Sequence, residues 1–314
     1  MGRRGAGRVT AQDIALLGEG GVSALIAQLV RQAADGDSNA KESASAMLSN
    51  LAAQNHFEHT DLLFTTGAVP PLVAILSIGS ANAQASAAAA LHAIAHEKAI
   101  HQAAVVDAGG VPPLVKLVRT GSAKVQEAAA AALASLDADV AHQGSIIKAG
   151  GILPLVAMLR GASAAGQAYA SQALANAAKH SAELGQNAIV KAGAIPLLLT
   201  LLLVGKAQTP AASALAQIAS ANRANQLAIG KAGGIAPLLA LLNGRNTDAQ
   251  VQAAAALAEI AADNPETQDS IVKSGGIGPL LALLSSRTYI HTYIHICMHT
   301  HIHTYMHWPA ARIA

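Results

Sequence analysis

The sequence predicts an all-α protein, a right-handed α-α superhelix of stacked repeats followed by a non-globular C-terminal tail. Three observations predict it: an alanine-rich composition, a phrase that returns along the chain, and a change of composition after Leu284. Hydrophobic residues make up 52% of the 314 residues, but aromatic residues only 2%. Because alanine has the highest helix propensity and a small side chain, this composition favours many closely packed helices.

The returning phrase joins glycine, an aliphatic residue and an apolar run. It reads GGVPPLVKLV at Gly109, GGILPLVAML at Gly150 and GGIGPLLALL at Gly275. The steps between successive aliphatic residues are 47, 42, 41, 43, 40 and 42 residues. These residues are Val22, Val69, Val111, Ile152, Ile195, Ile235 and Ile277. Self-similarity at such a period is typical of solenoid proteins.

The sequence pattern predicts three helices in each repeat. A short first helix, as at 143–149, ends at a glycine that can close the last turn in the left-handed conformation. Proline then opens a second helix, since the N–H that proline lacks is not needed in a first turn. A polar break at 119–124 precedes a longer third helix at 125–136. The prolines are Pro71, Pro113, Pro154, Pro237 and Pro279.

A repeat of this length and pattern resembles the armadillo repeat, over roughly residues 10 to 284. In style the chain is most similar to plant, protist and vacuolar-type armadillo repeat proteins. The resemblance implies six complete three-helix repeats and a partial seventh at 10–284, between a basic N-terminus at 1–9 and a tail at 285–314. HEAT repeats are the structural alternative, but their two-helix units lack the Gly-Gly-aliphatic-x-Pro pattern.

The resemblance also implies a surface for other proteins, and we expect it to bind an extended segment or a helix laid across the groove. In armadillo proteins the third helices line a concave groove, where an asparagine on each helix often holds the backbone of an extended peptide. The matching positions in this chain follow in steps of 43, 42, 41, 41 and 42, at Asn50, Ala93, Ser135, Asn176, Gln217 and Glu259. All of them except Ala93 are predicted partner-binding residues. Gln217 carries the same amide as asparagine, one methylene further out.

Importin-α-like adaptors carry tryptophan four residues before that asparagine. The corresponding residues here are Ala46, Ala89, Ala131, Gln172, Ser213 and Ala255. None is aromatic, so a cation–π contribution of about 0.5–2 kcal/mol per site is missing. An importin-like transport adaptor is therefore the weaker alternative. A second alternative is the substrate-binding fragment of a U-box/armadillo ubiquitin ligase.

A row of lysines precedes the glycines, at Lys148, Lys191, Lys231 and Lys273. Lysine near a helix C-terminus offsets the negative end of the helix dipole by about 0.3–1 kcal/mol. That structural role explains the row. The functional interpretation is a basic edge for an acidic or phosphorylated partner.

The sequence predicts a protein without enzyme activity, cofactor or metal. The sequence lacks a phosphate-binding G-x-x-x-x-G-K-[ST] loop, and the pairs His56/His59 and His92/His96 each supply fewer ligands than a zinc site needs. Asp248 is expected to cap a helix.

A formal net charge of +2 argues against nucleic acid as a partner. The longest apolar run, 197–204, is too short to span a bilayer. We expect a cytoplasmic or nuclear location.

The tail is predicted to lie outside the fold and to be disordered. Thr288 to Trp308 holds six of the 13 histidines, and the unit Thr-Tyr-Ile-His is what the repeated tetranucleotide ACAT encodes in triplets. The tail is therefore interpreted as a translated simple-sequence tract. The seventh repeat loses its third helix where the tail begins, which predicts an apolar face that could support self-association.

Overall fold

The computed structural model describes residues 11–54, 58–96, 98–136, 144–179, 182–203 and 205–285. All regular secondary structure in these ranges is helical, which confirms the all-α prediction. The chain divides into two compact units, 1–154 and 155–314. The N-terminal segment 1–9 and nearly all of the predicted tail lie outside the described residues, so the predicted domain boundaries stay predictions.

The first unit is built from nine helices in the described ranges. They are α1 (Ala11–Asp35), α2 (Ser38–Gln54), α3 (Glu58–Thr65), α4 (Val69–Ile78), α5 (Ala81–Ala95), α6 (Ala99–Asp107), α7 (Val111–Thr120), α8 (Ala123–Ala134) and α9 (Ser145–Lys148). The long helices α2, α5 and α8 pack side by side, and α4 and α7 pack against α5 and α8. Their contacts bury equivalent leucines, Leu48, Leu91 and Leu133. Small alanine side chains fill the remaining interface, which lets the helix backbones approach closely.

Helix α1 corrects one expectation. In the first repeat the matching glycine is Gly20, two residues before Val22, where the repeat pattern predicts a helix end. Instead, α1 runs without a break for 25 residues through that glycine. The reason is the residue after the aliphatic anchor Val22. Ser23 and Ala24 stand where other repeats place proline, so nothing removes a hydrogen bond from the helix.

The second unit repeats the same arrangement. Its elements are α10 (Ile152–Gly161, which crosses the boundary between the units), α11 (Ala164–Lys179), a π-helix (Ala182–Gln186), α12 (Asn187–Lys191), α13 (Ala194–Leu202), a 3₁₀ turn (Gly205–Ala207), α14 (Gln208–Ala219), α15 (Arg223–Lys231), α16 (Ile235–Leu242), α17 (Thr247–Ala261), α18 (Pro265–Lys273) and α19 (Ile277–Ser285). The long helices α11, α14 and α17 pack in that order. Leu174, Leu215 and Leu257 are their buried leucines.

The turn between first and second helices confirms the predicted role of the first glycine of each phrase. Gly233 has φ +80, and its equivalents from Gly67 to Gly275 have φ between +74 and +80. At Gly234 a second glycine follows for a different reason, whereas Ala68 and Ala194 occupy the equivalent position in two other repeats. A Cβ added to Gly234 would lie 2.7 Å from Cγ2 of Ile229, because the turn passes directly over the first helix. The prolines follow in the first turn of the second helix, as predicted: Pro237 is the third residue of α16.

Helix starts differ from the prediction by a few residues. The third helix expected at 125–136 is α8, Ala123–Ala134. The expectation that Asp248 caps a helix is wrong. The cap of α17 is Asn246, whose Oδ1 accepts from the backbone N–H of Ala249 at 3.2 Å, while Asp248 lies inside the first turn. The short amide side chain of Asn246 reaches the N–H groups that a helix leaves unpaired at its start.

A recurring glutamine, which the sequence reasoning missed, joins second and third helices. Near the start of α5, α8, α11, α14 and α17 its Nε2 donates to a carbonyl at the end of the preceding second helix. The distances are 3.0 Å from Gln126 to Val118 O and 2.9 Å from Gln250 to Leu242 O. Gln84, Gln167 and Gln208 form the same bond. Helix ends leave carbonyls without partners, and this glutamine supplies a donor. We call it the glutamine clamp.

Within the described ranges, no single helix combines the length and apolarity needed to cross a bilayer. Two sharply bent helix pairs reach that threshold when their lengths are joined, 59–65 with 69–78 and 184–191 with 194–202.

Candidate functional site

The second unit brings three of the predicted partner-binding residues into one register. Asn176, Gln217 and Glu259 lie on the packed helices α11, α14 and α17, each two positions after a fully buried leucine. Since successive residues of a helix are about 100° apart, the two positions point to nearly opposite sides. The three residues therefore share the side of the long helices that faces away from the leucines, and we call them the second-unit row.

Asn176 is the least accessible member of the row, at 9% exposed. Its Oδ1 accepts a hydrogen bond from Nε2 of Gln172 at 2.9 Å. Gln172 lies one helical turn earlier, so the pair is on one face of α11. This bond sets the orientation of the Asn176 amide and adds a second amide to the same patch.

Gln217 is half-buried, and its amide makes no hydrogen bond within the part of the chain that the structure describes. Its backbone carbonyl is bound instead, because Nε2 of Gln186 donates to it at 2.9 Å. The helix end is thus fixed while the side-chain amide is left with donors and an acceptor for a ligand. Among the members of the row, Gln217 has the amide best placed to meet a peptide backbone.

Glu259 is half-buried and forms no ion pair among the described residues. Helix α14, against which α17 packs, has no charged side chain at all, and Asp248 is the other charged residue of α17. The second-unit row thus consists of an amide on α11, an amide on α14 and a carboxylate on α17.

The first unit presents a different set at the equivalent positions. Asn50 is exposed on α2, and Ala93 follows on α5. Ser135, directly after α8, is bound within the protein: its Oγ is hydrogen-bonded to Nδ1 of His92 and donates to the backbone O of Ala131 at 3.1 Å. Because the hydroxyl has one hydrogen, the Nδ1–H of His92 is the donor to Ser135. Of the first-unit candidates, Asn50 is the one that exposes an amide.

The pKa of His92 is lowered to about 4, chiefly by burial and also by the neighbouring charge of His96, while a backbone hydrogen bond with Ala131 opposes both effects. The rings of His92 and His96 meet edge to face, with centroids 5.9 Å apart. His92 is therefore neutral at physiological pH and serves as a link between neighbouring repeats.

The four lysines of the predicted basic edge lie at helix C-termini, where a positive charge offsets the helix dipole. Each lysine is the last residue of a first helix, and all four are exposed. They are Lys148, Lys191, Lys231 and Lys273, at the ends of α9, α12, α15 and α18. In the described ranges none of them forms an ion pair. A role in binding an acidic partner stays a prediction.

The structure also reveals polar residues at the joints between repeats that sequence reasoning missed. Nδ1 of His101 bonds to the carbonyl of Ile94 at 2.8 Å, and Nδ2 of Asn225 bonds to the carbonyl of Ile218 at 3.0 Å. Both reach back seven residues, from a first helix to the end of the preceding long helix. The next residue along the chain carries a sequence signal. Glutamine recurs seven positions before the left-handed glycine, and Nε2 of Gln268 donates to the carbonyl of Ala261 at 2.9 Å. These glutamines are Gln102, Gln143, Gln186, Gln226 and Gln268.

His101 belongs to a second cluster. Its Nε2 lies 3.4 Å from Oδ1 of Asp61, which also pairs with Nζ of Lys98, and its ring stacks on Phe64 with centroids 4.1 Å apart. The cluster joins α3 to α6. The described residues hold no group of three His, Cys, Asp or Glu side chains that could bind a metal ion, and His56 lies outside them.

Known proteins similar to this chain share the repeat. The segments 101–136 and 222–262 match the family model of the armadillo/beta-catenin-like repeat. The second match contains Glu259. A comparison with curated proteins gives no match.

Solved structures are similar over more of the chain. An engineered protein is 35% identical with a TM-score of 0.75, over 88% of this chain and 67% of the other. A designed armadillo repeat protein is 31% identical with a TM-score of 0.67, over 75% of this chain and 99% of the designed one. Another designed armadillo repeat protein, in complex with the peptide (KR)4, is 31% identical with a TM-score of 0.64, over 75% and 99% of the two chains.

Proposed function

Because the chain belongs to the armadillo repeat family, we propose that it is a protein-binding scaffold that holds an extended segment of a partner protein against the second-unit row. One observation carries the proposal: Gln217, whose amide forms no hydrogen bond among the described residues, lies at the same register as Asn176 on the adjacent packed helix. An amide both donates and accepts, so it can pair with the N–H and C=O of one peptide residue.

The spacing of the helices fits an extended ligand. Packed helices lie about 8–10 Å apart, and an extended chain rises about 3.3 Å per residue. Neighbouring amides would therefore meet every second or third residue of the ligand. A helical ligand rises only about 1.5 Å per residue and turns its own amides inward, so its backbone could not use the row.

One comparison supports a peptide ligand. A designed armadillo repeat protein similar to this chain was solved with a bound peptide. The residues four positions before the row, Gln172, Ser213 and Ala255, are not aromatic. The row would thus grip the backbone of a segment and lacks rings that stack on lysine stems.

A selection from a displayed library of random 12-residue peptides tests the proposal. The wild-type protein should enrich peptides whose affinity falls about tenfold or more in the Asn176→Ala/Gln217→Ala double variant, since two backbone hydrogen-bond partners are lost. Gln217→Ala should show a smaller loss in the same direction. Affinity is measured by fluorescence anisotropy, and helicity by circular dichroism.

The matched control is Asn243→Ala, which removes an exposed amide at the end of α16, outside the row. It should bind the enriched peptides as the wild type does. Because Asn176 is buried and bonded to Gln172, the double variant could lose stability, and Gln217→Ala separates that effect from binding. Unchanged affinity in both Gln217→Ala and the double variant would count against the row as the binding surface.

A further inference from the structure

We propose that Lys191, Lys231 and Lys273 form a docking surface for an acidic segment of a partner protein, a run of aspartate or glutamate residues. We call these three residues the second-unit lysines. They lie at the ends of first helices, whereas the second-unit row lies on the third helices. The surface is therefore separate from the row and goes beyond the proposed function.

The packing of the second unit places the second-unit lysines in a line. Each one ends a first helix and precedes a left-handed glycine by two residues. The second helices that start after these turns, α13, α16 and α19, pack side by side in that order. Because packed helices lie about 8–10 Å apart, successive lysines follow one another at intervals of about that size.

The fold favours lysine at this position without requiring it. The equivalent residues of the first unit are Thr65 and Asp107, at the ends of α3 and α6. Asp107 puts a negative charge where a positive one would offset the helix dipole, yet Gly109 still takes the left-handed conformation with φ +77. The side chain here can therefore change without loss of the turn, and the second unit carries lysine at all three of its turns.

The charges of Lys191 and Lys231 have little compensation nearby. Helices α12, α13, α15 and α16 contain no acidic residue, and neither lysine forms an ion pair in the described ranges. Glu183 lies two turns before Lys191, in the π-helix, whereas Asp269 lies only one turn before Lys273. We therefore expect Lys191 and Lys231 to contribute most to binding.

The surface beside the lysines suits a polypeptide better than a nucleic acid. Its exposed residues are small or apolar: Pro196, Ala236 and Val272, the last of them 36% exposed. Side chains of a polypeptide can pack on these residues, whereas a phosphate backbone cannot use them. Helices α12, α13, α15, α16, α18 and α19 also lack the aromatic side chains on which unpaired bases stack.

The spacing of the lysines fits a run of acidic residues. Three lysines at the packing distance of helices span on the order of 20 Å, which is about six residues of an extended chain. The ammonium group of lysine carries donors only, and an ionised carboxylate carries acceptors only. Charge-assisted hydrogen bonds between them are roughly twice as strong as neutral ones.

The test measures the affinity of the whole protein for fluorescein-labelled octaglutamate and octaglutamine, at low and at high salt. The wild type should bind octaglutamate and not octaglutamine, and its affinity should fall with salt because exposed charges are screened. Lys191→Gln/Lys231→Gln should weaken octaglutamate binding about fivefold or more, since two charge pairs are lost. Lys273→Gln should show a smaller loss. Circular dichroism should show wild-type helicity in these variants.

Arg160→Gln/Arg245→Gln is the matched control. It also removes two positive charges from exposed residues of the second unit, at the other end of the second helices. It should bind octaglutamate as the wild type does, and an equal loss would show a diffuse charge effect and overturn the docking surface. So would wild-type affinity in Lys191→Gln/Lys231→Gln, or no binding of octaglutamate by the wild-type protein.

Two further measurements separate this surface from other modes of binding. If oligodeoxythymidylate binds more tightly than octaglutamate and loses affinity in Lys191→Gln/Lys231→Gln, the lysines serve a nucleic acid and the proposal is wrong. Gln217→Ala, which tests the second-unit row, should leave octaglutamate binding unchanged. If Gln217→Ala weakens it as much as the double lysine variant does, the acidic segment lies on the row and the separate surface is wrong.

Discussion

The imidazole of His92 and the hydroxyl of Ser135 join the ends of two neighbouring long helices in the first unit. The bond runs from a side chain inside α5 to the residue that follows α8. Ser135 stands where an asparagine of the armadillo pattern would face a ligand. In this repeat the position therefore stabilises the contact between repeats, and its hydroxyl is already occupied.

Burial of His92 makes the stability of the first unit depend on pH. The pKa of His92 is lowered to about 4 in the folded protein, below the ordinary value of 6.5. As pH falls, the unfolded chain binds the proton first, so the contribution is complete above pH 6.5 and is lost as pH falls toward 4. The loss is on the order of 2–3 kcal/mol by pH 4.

Urea unfolding between pH 7 and 4 measures this effect as the difference between the wild type and His92→Gln, because the carboxylates titrate in both proteins. The wild type should lose more stability than the variant over this range. An NMR titration of His92 with a midpoint near 6.5 would contradict the prediction.

The left-handed turn predicts a second, purely conformational effect. The Cβ that Gly233→Ala adds would have no neighbouring atom within 4 Å, but the backbone at residue 233 has φ +80. We expect a loss of about 1–2 kcal/mol in the free energy of unfolding, because a Cβ disfavours this backbone region. Gly233→Asn should cost less than Gly233→Ala, since asparagine tolerates positive φ better. Chemical denaturation measures the free energy of unfolding of both variants. Equal losses would point to a cause other than the positive φ.

The glutamine clamp predicts a cost that depends on charge. Nε2 of Gln250 donates to both Leu242 O and Gly244 O at 2.9 Å. Gln250→Ala should destabilise the protein by about 1–2 kcal/mol, because two carbonyls lose a donor. Gln250→Glu should cost more at pH 7 than at pH 4, since an ionised carboxylate would face those carbonyls. Thermal melts at the two pH values test this, and a pH-independent loss would argue against the clamp.

Gln186 predicts a local effect in the second unit. It is 5% exposed, donates to the carbonyls of Gln217 and Ser220 at 2.9 and 3.0 Å, and accepts from Nδ2 of Asn222 at 3.0 Å. Gln186→Leu should cost on the order of 3 kcal/mol, because it leaves buried partners unpaired. Hydrogen exchange should accelerate at the end of α14 and the start of α15. Uniform acceleration across the unit would instead indicate a general loss of packing.

The sequence correctly predicted features whose backbone conformation depends on residues close together in the chain. Gly233 takes the left-handed conformation because the chain must turn between two helices, and Pro237 fits the first turn that follows. The same local reasoning was wrong at Gly20. A glycine lowers helix stability but does not end a helix, and the proline that would do so is absent from that repeat.

The features that the sequence did not predict depend on atoms from another helix. The repeat spacing found the position of Asn176, but the bond to Gln172 and the burial of the pair follow from packing. Ser135 was expected to face a ligand, and only the position of His92 one repeat earlier shows that its hydroxyl is bound. The glutamines of the clamp recur once per repeat in the sequence. The carbonyl that each one binds could be identified only from the structure, which shows where the preceding helix ends.

The row and the buried leucines are two positions apart on each long helix, and this separation matters for how such a protein can change. Asparagine, glutamine and glutamate occupy the row at Asn176, Gln217 and Glu259, while the buried residue is leucine each time. A substitution at Gln217 or Glu259, which are half-buried, can therefore change the surface of one repeat while the leucine that stacks it on its neighbours stays in place. Under the proposed function, ligand preference can then evolve at these two positions one repeat at a time.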